Sequence, residues 1–366
     1  MRDRKKRIIK KIFILFLIVN LLILMQSMVC SKEITVSKKY NNDTPGWMNT
    51  SFNSIQKAVD NAEENDEIII SNETFYENIL VNKTLTIKGE KNNTIIDGRM
   101  FDDVICISSK NTNINNLTIT NSSSSSNTGG INIQGDNVTI KDCIIKNNPW
   151  SGIRTGYKIK NSMIKNNIIY DNGYGIFFNY QNDNSYIYQN QIYGNIWDGI
   201  YADKSSNLTI YNNTIYENGD DGIGIQNSHD VIVFENIFDS NLENGIYIYF
   251  SDVNILENNI SNNEDSAVFL RNADDNNINK NTIIQNQKGI TLILDSSNNQ
   301  IHENTIKNNN IGIYDETTKN NNYDDNIFIL NNQDVVTGET NEVPGFEIII
   351  SIFSIIICFY IIRKNR

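Results

Sequence analysis

The chain has 366 residues, with 31 Lys and Arg against 43 Asp and Glu, a formal net charge of −12 and four cysteines. An acidic balance of this size excludes a protein that grips phosphate backbones, so nucleic acid is not an expected partner. Four cysteines in so long a chain do not build a disulfide scaffold.

The N-terminus opens with Arg2, Arg4, Lys5, Lys6, Arg7, Lys10 and Lys11, followed by an apolar run from Ile12 to Met25. A basic start and an apolar centre read as a secretory signal over residues 1–31, with cleavage near Val29 to Ser31; a retained membrane helix is the alternative. Residues 32–66 form a cap region, in which Ser54 followed by Ile55, Ala58, Val59 and Ala62 fits a short amphipathic helix. Such a helix would cover the open end of a stack of strands.

Residues 67–335 carry a repeat. Ile131, Ile153, Ile176, Ile200, Ile223, Ile246, Val268, Ile290 and Ile313 recur at intervals of 22 to 24 residues, each after a glycine except Val268, which follows Ala267. A second column with the same beat, Asn-x-Ile-x-x-Asn, begins at Asn167, Asn190, Asn213, Asn236, Asn258, Asn281, Asn304 and Asn326, with Phe238 and Phe328 in the Ile place. Two columns with one period specify a solenoid. The units lack helical spacing, and within them apolar residues alternate, as in Gly245-Ile246-Tyr247-Ile248-Tyr249. That is the period of a strand with one buried face. Stacked units would place each Ile on the next and let each turn Asn bond to its neighbours above and below. The predicted fold is all-β, a right-handed parallel β-helix of 22–24 residues per coil.

Residues 336–346 form a linker containing Val343-Pro344-Gly345-Phe346, and residues 347–366 hold an apolar stretch closed by Arg363, Lys364 and Arg366. This end reads as a transmembrane anchor with its basic tail on the cytoplasmic side, which places the repeats outside the cell, on its surface. It resembles the Pro-Gly-Phe sorting signals of archaeal surface proteins, and the resemblance implies a sortase-like membrane protease as a processing partner. Glu347, directly after the motif, departs from that pattern.

The segments Ile55 to Glu67, Tyr76-Glu77-Asn78, Thr84 to Lys88 and Ile95 to Gly98, with the later Gly-Ile and Asn-x-Ile coils, resemble the pectin-lyase-like and NosD-like β-helix family over most of residues 53–335. The resemblance implies a scaffold that carries lyases, hydrolases and adhesins, and does not choose among them. Gly219-Asp220-Asp221-Gly222-Ile223-Gly224-Ile225 resembles the paired-aspartate strand of polygalacturonases, which implies acid and base roles for Asp220 and Asp221, with Asp198 one coil earlier in the column of Asp221. Where that family has a histidine before glycine this chain has Asn244-Gly245, and Arg271-Asn272-Ala273 supplies an arginine without its lysine. The copper-maturation role that the NosD-like resemblance implies needs His, Cys or Met ligands. His229 and His302 fall three coils apart, and Met100 and Met163 do not make up a site.

One further pattern is a surface. The residue after each columnar Ile reads Phe177, Tyr201, Gly224, Tyr247, Phe269, Thr291 and Tyr314, an outward row of aromatics, and the turn before it carries Asp198, Asp220, Asp221, Glu243, Glu264 and Asp265. Aromatic rings beside carboxylates suit a carbohydrate groove, the acids accepting hydroxyl bonds or, at Asp220, Asp221 and Glu243, holding Ca²⁺ through oxygen. The expected function is therefore a membrane-tethered surface protein for binding or adhesion. Its ligand would be an extracellular glycan or cell-wall polymer, bound at Phe177, Tyr201, Tyr247, Phe269, Glu243 and Asp265. A polysaccharide hydrolase or lyase is the alternative.

Overall fold

A computed structural model describes residues 31–90, 93–317 and 319–338. The signal segment up to Cys30, the Pro-Gly-Phe motif and the apolar C-terminal stretch lie outside them. Among the described residues no helix is long and apolar enough to cross a membrane.

The chain winds into a right-handed parallel β-solenoid of about 12 turns whose strands fall into three parallel sheets of 13, 12 and 12 strands. The first sheet runs from Ser51–Phe52 and Glu33–Val36 to Gln300–His302, the second from Thr74–Phe75 to Ile327–Ile329, and the third from Ile79–Val81 to Gln333–Thr337. The register is that of the sequence columns, with Ile200 on Ile223, Ile223 on Ile246 and Ile246 on Val268. All nine residues of the Ile column are fully buried. Phe238 fills the place of an Ile in the second sheet between Ile215 and Ile260 and is likewise buried.

A single left-handed residue before each laddered asparagine turns the chain from one sheet to the next, as at Asn212 (φ 54°) before Asn213 and Glu217 (φ 52°) before Asn218. Asparagine adopts this conformation more readily than most residues. The following Asn points inward. Asn213 Nδ2 donates to Ile187 O and Tyr211 O at 2.9 and 3.1 Å and to Asn236 Oδ1 at 3.0 Å, while its own Oδ1 accepts from the backbone N–H and Nδ2 of Asn190. A second ladder runs from Asn148 through Asn172, Asn195, Asn218, Asn241, Asn263 and Asn286 to Asn309. The buried turns are thus hydrogen-bonded by side chains where strands cannot reach.

At the N-terminal end a helix spans Ile55–Asn61, with Ser54 as its N-cap and Ile55, Ala58 and Val59 buried. The Glu77 carboxylate accepts from the N–H groups of Ile55 and Gln56. Gln56 exchanges two bonds with the backbone of Leu80, as a neighbouring strand would.

Candidate functional site

The outward row forms in the predicted register, Phe177, Tyr201, Gly224, Tyr247, Phe269, Thr291 and Tyr314, and Arg154 extends it by one rung before Phe177. Its exposure differs from the expectation. The rings are half-buried, and Thr291 is only 1% exposed, with its hydroxyl 2.8 Å from that of Ser266. Strands one rung apart bring the rings face to face, so Phe177 stacks on Tyr201 at 5.2 Å and Tyr247 on Phe269 at 5.6 Å. Stacked faces are covered by each other. Gly224 breaks the row between these two pairs, leaving Tyr201 and Tyr247 two rungs, about 9.6 Å, apart along the axis.

The gap has a floor. A Cβ added at Gly224 would lie 2.7 Å from Asp198 Oδ2 and 3.3 Å from Tyr201 Cδ2, so the carboxylate and the leaning ring already use the space that a side chain would need. Asp198 reaches this position because the turn between laddered Asn195 and Gly199 has three residues, one more than the turn between Asn172 and Gly175.

The turn acids are less solvated than their place in the sequence suggests. Asp198 and Asp221 are 5% and 7% exposed and continue the ladder scheme with carboxylates. Asp198 Oδ1 accepts from the N–H of Asp221, Asp221 Oδ1 from the N–H and Nδ2 of Asn244, and Asn244 Oδ1 from the N–H of Ser266. Burial and the neighbouring acids hold both carboxyls well above the usual range. Burial also raises Asp220. Glu243, open to solvent on one side, is pushed up to about 7 by desolvation and by Asp220, with which it shares a hydrogen bond. An oxygen from each of Asp198, Asp220 and Asp221 lies within 4.8 Å of the others, a set that could hold a hard cation. The converging trio therefore contains Asp198 in place of Glu243. Asp265 is drawn aside by Lys288 at 3.3 Å, and Glu264 is exposed.

Around the acids lie groups that sequence reasoning did not place there. Trp150, Tyr174 and Trp197 interlock beside Phe177 and Tyr201, with ring centroids 4.8 to 6.5 Å apart. Burial pushes the Tyr174 hydroxyl up to about 12 and that of Tyr201 well above its usual value. Arg271, set aside for want of a lysine, lies near Tyr247, where its charge opposes the upward effect of burial on that hydroxyl. Each of these tryptophans sits two residues, and Tyr174 one residue, before a columnar glycine, positions outside the outward row itself. Elsewhere, Lys158, Lys160, Lys204 and His229 line a trough of about 640 Å³ between the third and first sheets. His229 faces Asp252 at 3.1 Å and His302 faces Asn277 at 3.2 Å, so the two histidines do not converge. Cys106 and Cys143 are free thiols.

The coiling, the three parallel sheets and the stacked columns match the family model of the right handed beta helix region over residues 103–259 and 199–345. The chain belongs to this family. No curated protein matches it in sequence. Among solved structures, it is similar to the A-module of the mannuronan C-5 epimerase AlgE4 of Azotobacter vinelandii (16% identity, 76% of this chain and 91% of that one, TM-score 0.65). It is also similar to the GH136 lacto-N-biosidase of Eubacterium ramulus (12% identity, 81% and 68%, TM-score 0.63) and to the Dettilon tailspike protein gp208 (16% identity, 72% and 62%, TM-score 0.61). At these identities the likeness is one of fold.

Proposed function

We propose that this β-helix is a surface protein that binds a carbohydrate on the outward face of its third sheet, tethered to the membrane by the apolar C-terminal stretch. The observation that carries the reading is the gap at Gly224. It separates the Phe177–Tyr201 ring pair from the Tyr247–Phe269 pair and has the Asp198 carboxyl as its floor. A sugar ring offers apolar C–H faces and an equatorial rim of hydroxyls, which suit aromatic walls and a carboxyl floor. Carboxyls held above their usual range donate as well as accept, so Asp198, Asp221 and Glu243 can serve hydroxyls in both senses. Two of the similar folds carry carbohydrate activities in their names, a mannuronan epimerase and a lacto-N-biosidase, which supports the ligand class.

The test is retention of the purified chain on polyuronate and neutral glycan resins. Tyr201→Ala combined with Tyr247→Ala should abolish retention while lowering the melting temperature by no more than the several degrees that two lost ring stacks cost; retention unchanged by the double substitution would refute the groove. Calcium dependence is read in the same assay. If Asp198, Asp220 and Asp221 hold Ca²⁺ in the bound state, a chelator reduces retention and Asp220→Asn reproduces the loss.

A hydrolase or lyase is favoured by one observation, the unequal environments of Glu243 and the buried Asp198–Asp221 pair, since acid and base roles need carboxyls of different proton affinity. New reducing ends or unsaturated products after incubation with polyuronates would decide for the enzyme. The copper role gains no support, since His229 and His302 have separate partners.

A further inference from the structure

The outward row begins before the aromatics, with Cys106, Asn132 and Arg154 on successive rungs below Phe177. Arg154 is 8% exposed, and its Nε–H is buried with no hydrogen-bond partner. Among the described residues its guanidinium forms no hydrogen bond and no ion pair within 4.0 Å. The nearest acid, Asp103, is committed elsewhere: its oxygens accept from Gly129 N–H at 2.7 Å and Asn132 Nδ2 at 2.6 Å. Two further buried polar atoms at this end of the row lack partners, the indole N–H of Trp150 and Oδ1 of Asn132, the latter in a side chain 2% exposed. Trp150 lies edge-on to Phe177, the ring next to Arg154 in the row. The Arg154 stem is seated by a glycine, since a Cβ at Gly129 would lie 3.2 Å from Arg154 Cγ.

A largely buried arginine whose Nε–H has no bonded partner is costly in any fold, and its remaining nitrogens are left to water. It is retained here in a chain of net charge −12, beside a second orphaned donor and an orphaned acceptor. Each of the three lacks what a ligand carrying an anionic group and hydroxyls would provide. The planar guanidinium fork matches a carboxylate.

We propose that Arg154, with Trp150 Nε1 and Asn132 Oδ1, forms a subsite for the carboxylate of an acidic sugar, one end of the same face whose centre is the Gly224 gap. The inference rests on the glycan reading for the sugar and adds a charge to it. The indole N–H donates to the carboxylate or to a ring oxygen, and Asn132 Oδ1 accepts from a hydroxyl. The subsite gives the face a polarity, cationic at Arg154 and acidic at Asp198 and beyond.

The experiment compares uronate oligosaccharides with their methyl esters, which keep the sugar and remove the charge. The full chain and its Arg154→Gln variant are titrated by calorimetry with oligogalacturonate, oligomannuronate and the two esters. The expected result is that the free acid of at least one series binds tenfold or more tighter than its ester, and that R154Q removes this preference by weakening the acid far more than the ester. Equal binding of acid and ester by both proteins would overturn the subsite and leave the glycan face standing. Binding of neither form would remove both. Binding of a sulfated glucan but of no uronate, lost in R154Q, would overturn the carboxylate assignment. A second readout separates a structural role: the unliganded Arg154→Met variant should melt at or above the wild-type temperature. A fall of several degrees would identify Arg154 as a structural counter-ion of Asp103 and overturn the proposal.

Discussion

The inward asparagine ladders and the outward column of the third sheet obey one repeat, yet they treat polar atoms in opposite ways. Along the ladders each amide is used, as at Asn213, whose nitrogen has three acceptors and whose oxygen has two donors. Along the outward column and its leading turn, Asn132 Oδ1, Trp150 Nε1 and Arg154 Nε are buried without partners, and Asp198 and Asp221 hold buried carboxyls against one another. The same stacking geometry was available to both. The column of Asp198 and Asp221 continues at Asn244 and Ser266, so an amide or a hydroxyl fits there. Single orphaned oxygens occur elsewhere, at Asn115, Ser162, Asn182 and Asn279, but on this face an unpaired buried arginine nitrogen, an unpaired indole N–H and a cluster of buried carboxyls fall together, and that concentration supports a ligand-binding role for the face.

The comparison is broken most severely inside a ladder. Asn213→Ala leaves the buried backbone N–H of Asn190 without its acceptor and takes a donor from the carbonyls of Ile187 and Tyr211, the latter keeping the N–H of Gln189 at 3.3 Å. The unpaired amide costs about 1–3 kcal/mol and the lost carbonyl bonds add to it, so the loss should be about 3 kcal/mol. Because each coil contacts only its neighbours, denaturant unfolding should also become less cooperative, with the two flanking halves separating. A variant as stable as the wild type would mean that the ladders only decorate the turns.

The opposite change on the outward face should stabilise. Asp198→Asn and Asp221→Asn keep the accepting Oδ1 and remove the like charges. The sign with pH follows from the direction of the shifts. Glu243, ordinarily near 4.5, is held up to about 7, and Asp198, Asp220 and Asp221 are raised as well. The folded chain therefore retains protons that the unfolded chain has lost, and stability falls as pH rises from about 4.5 through 7. Melting curves at pH 5 and pH 8 should show the wild type less stable at pH 8. Asp198→Asn should recover several degrees at pH 8 and almost none at pH 5. A wild-type melting temperature that rises across this interval would overturn the reading of the cluster.

Most of this architecture was legible in the sequence because columnar order is a property of sequence phase. The Ile column, the Asn ladders and the register of Phe177, Tyr201, Gly224, Tyr247 and Phe269 all follow from residues 22 to 24 apart. Depth was not legible. Phase tells which residues share a face but not how far a turn carries an acid toward that face, and the extra residue between Asn195 and Gly199 brought Asp198 over Gly224 instead of into solvent. The covering of aromatic faces was missed for a related reason, since rings on adjacent rungs present their flat sides to each other before they present them to a ligand. Arg154 was missed because the row was counted from the aromatics onward, and a lone arginine in an Asn-rich coil gives no periodic signal.

Gly224→Ala probes the gap on a smaller scale. The added methyl meets Asp198 Oδ2 at 2.7 Å, and the carboxylate or Tyr201 must shift by several tenths of an ångström. Ligand retention should fall about tenfold, equivalent to about 1.4 kcal/mol, with a modest change in melting temperature. Unchanged retention would place the ligand away from the gap.

The smallest effect is expected from a ring stack that makes no claim to function. On the first sheet Tyr188, Tyr211 and Phe234 stack at 4.8 and 4.9 Å with nothing interrupting them, and the orphaned atoms of that row, Asn115 Oδ1 and Asn279 Oδ1, lie two or more rungs away from the three rings. Tyr211→Ala should cost roughly 1 kcal/mol, the worth of lost ring contacts on a half-exposed sheet, and should leave glycan retention as it was. Because this stack has the same rung spacing and ring chemistry as the Phe177–Tyr201 pair, a loss of retention in Tyr211→Ala would show that any aromatic ladder on the solenoid suffices. The gap at Gly224 would then lose its special standing.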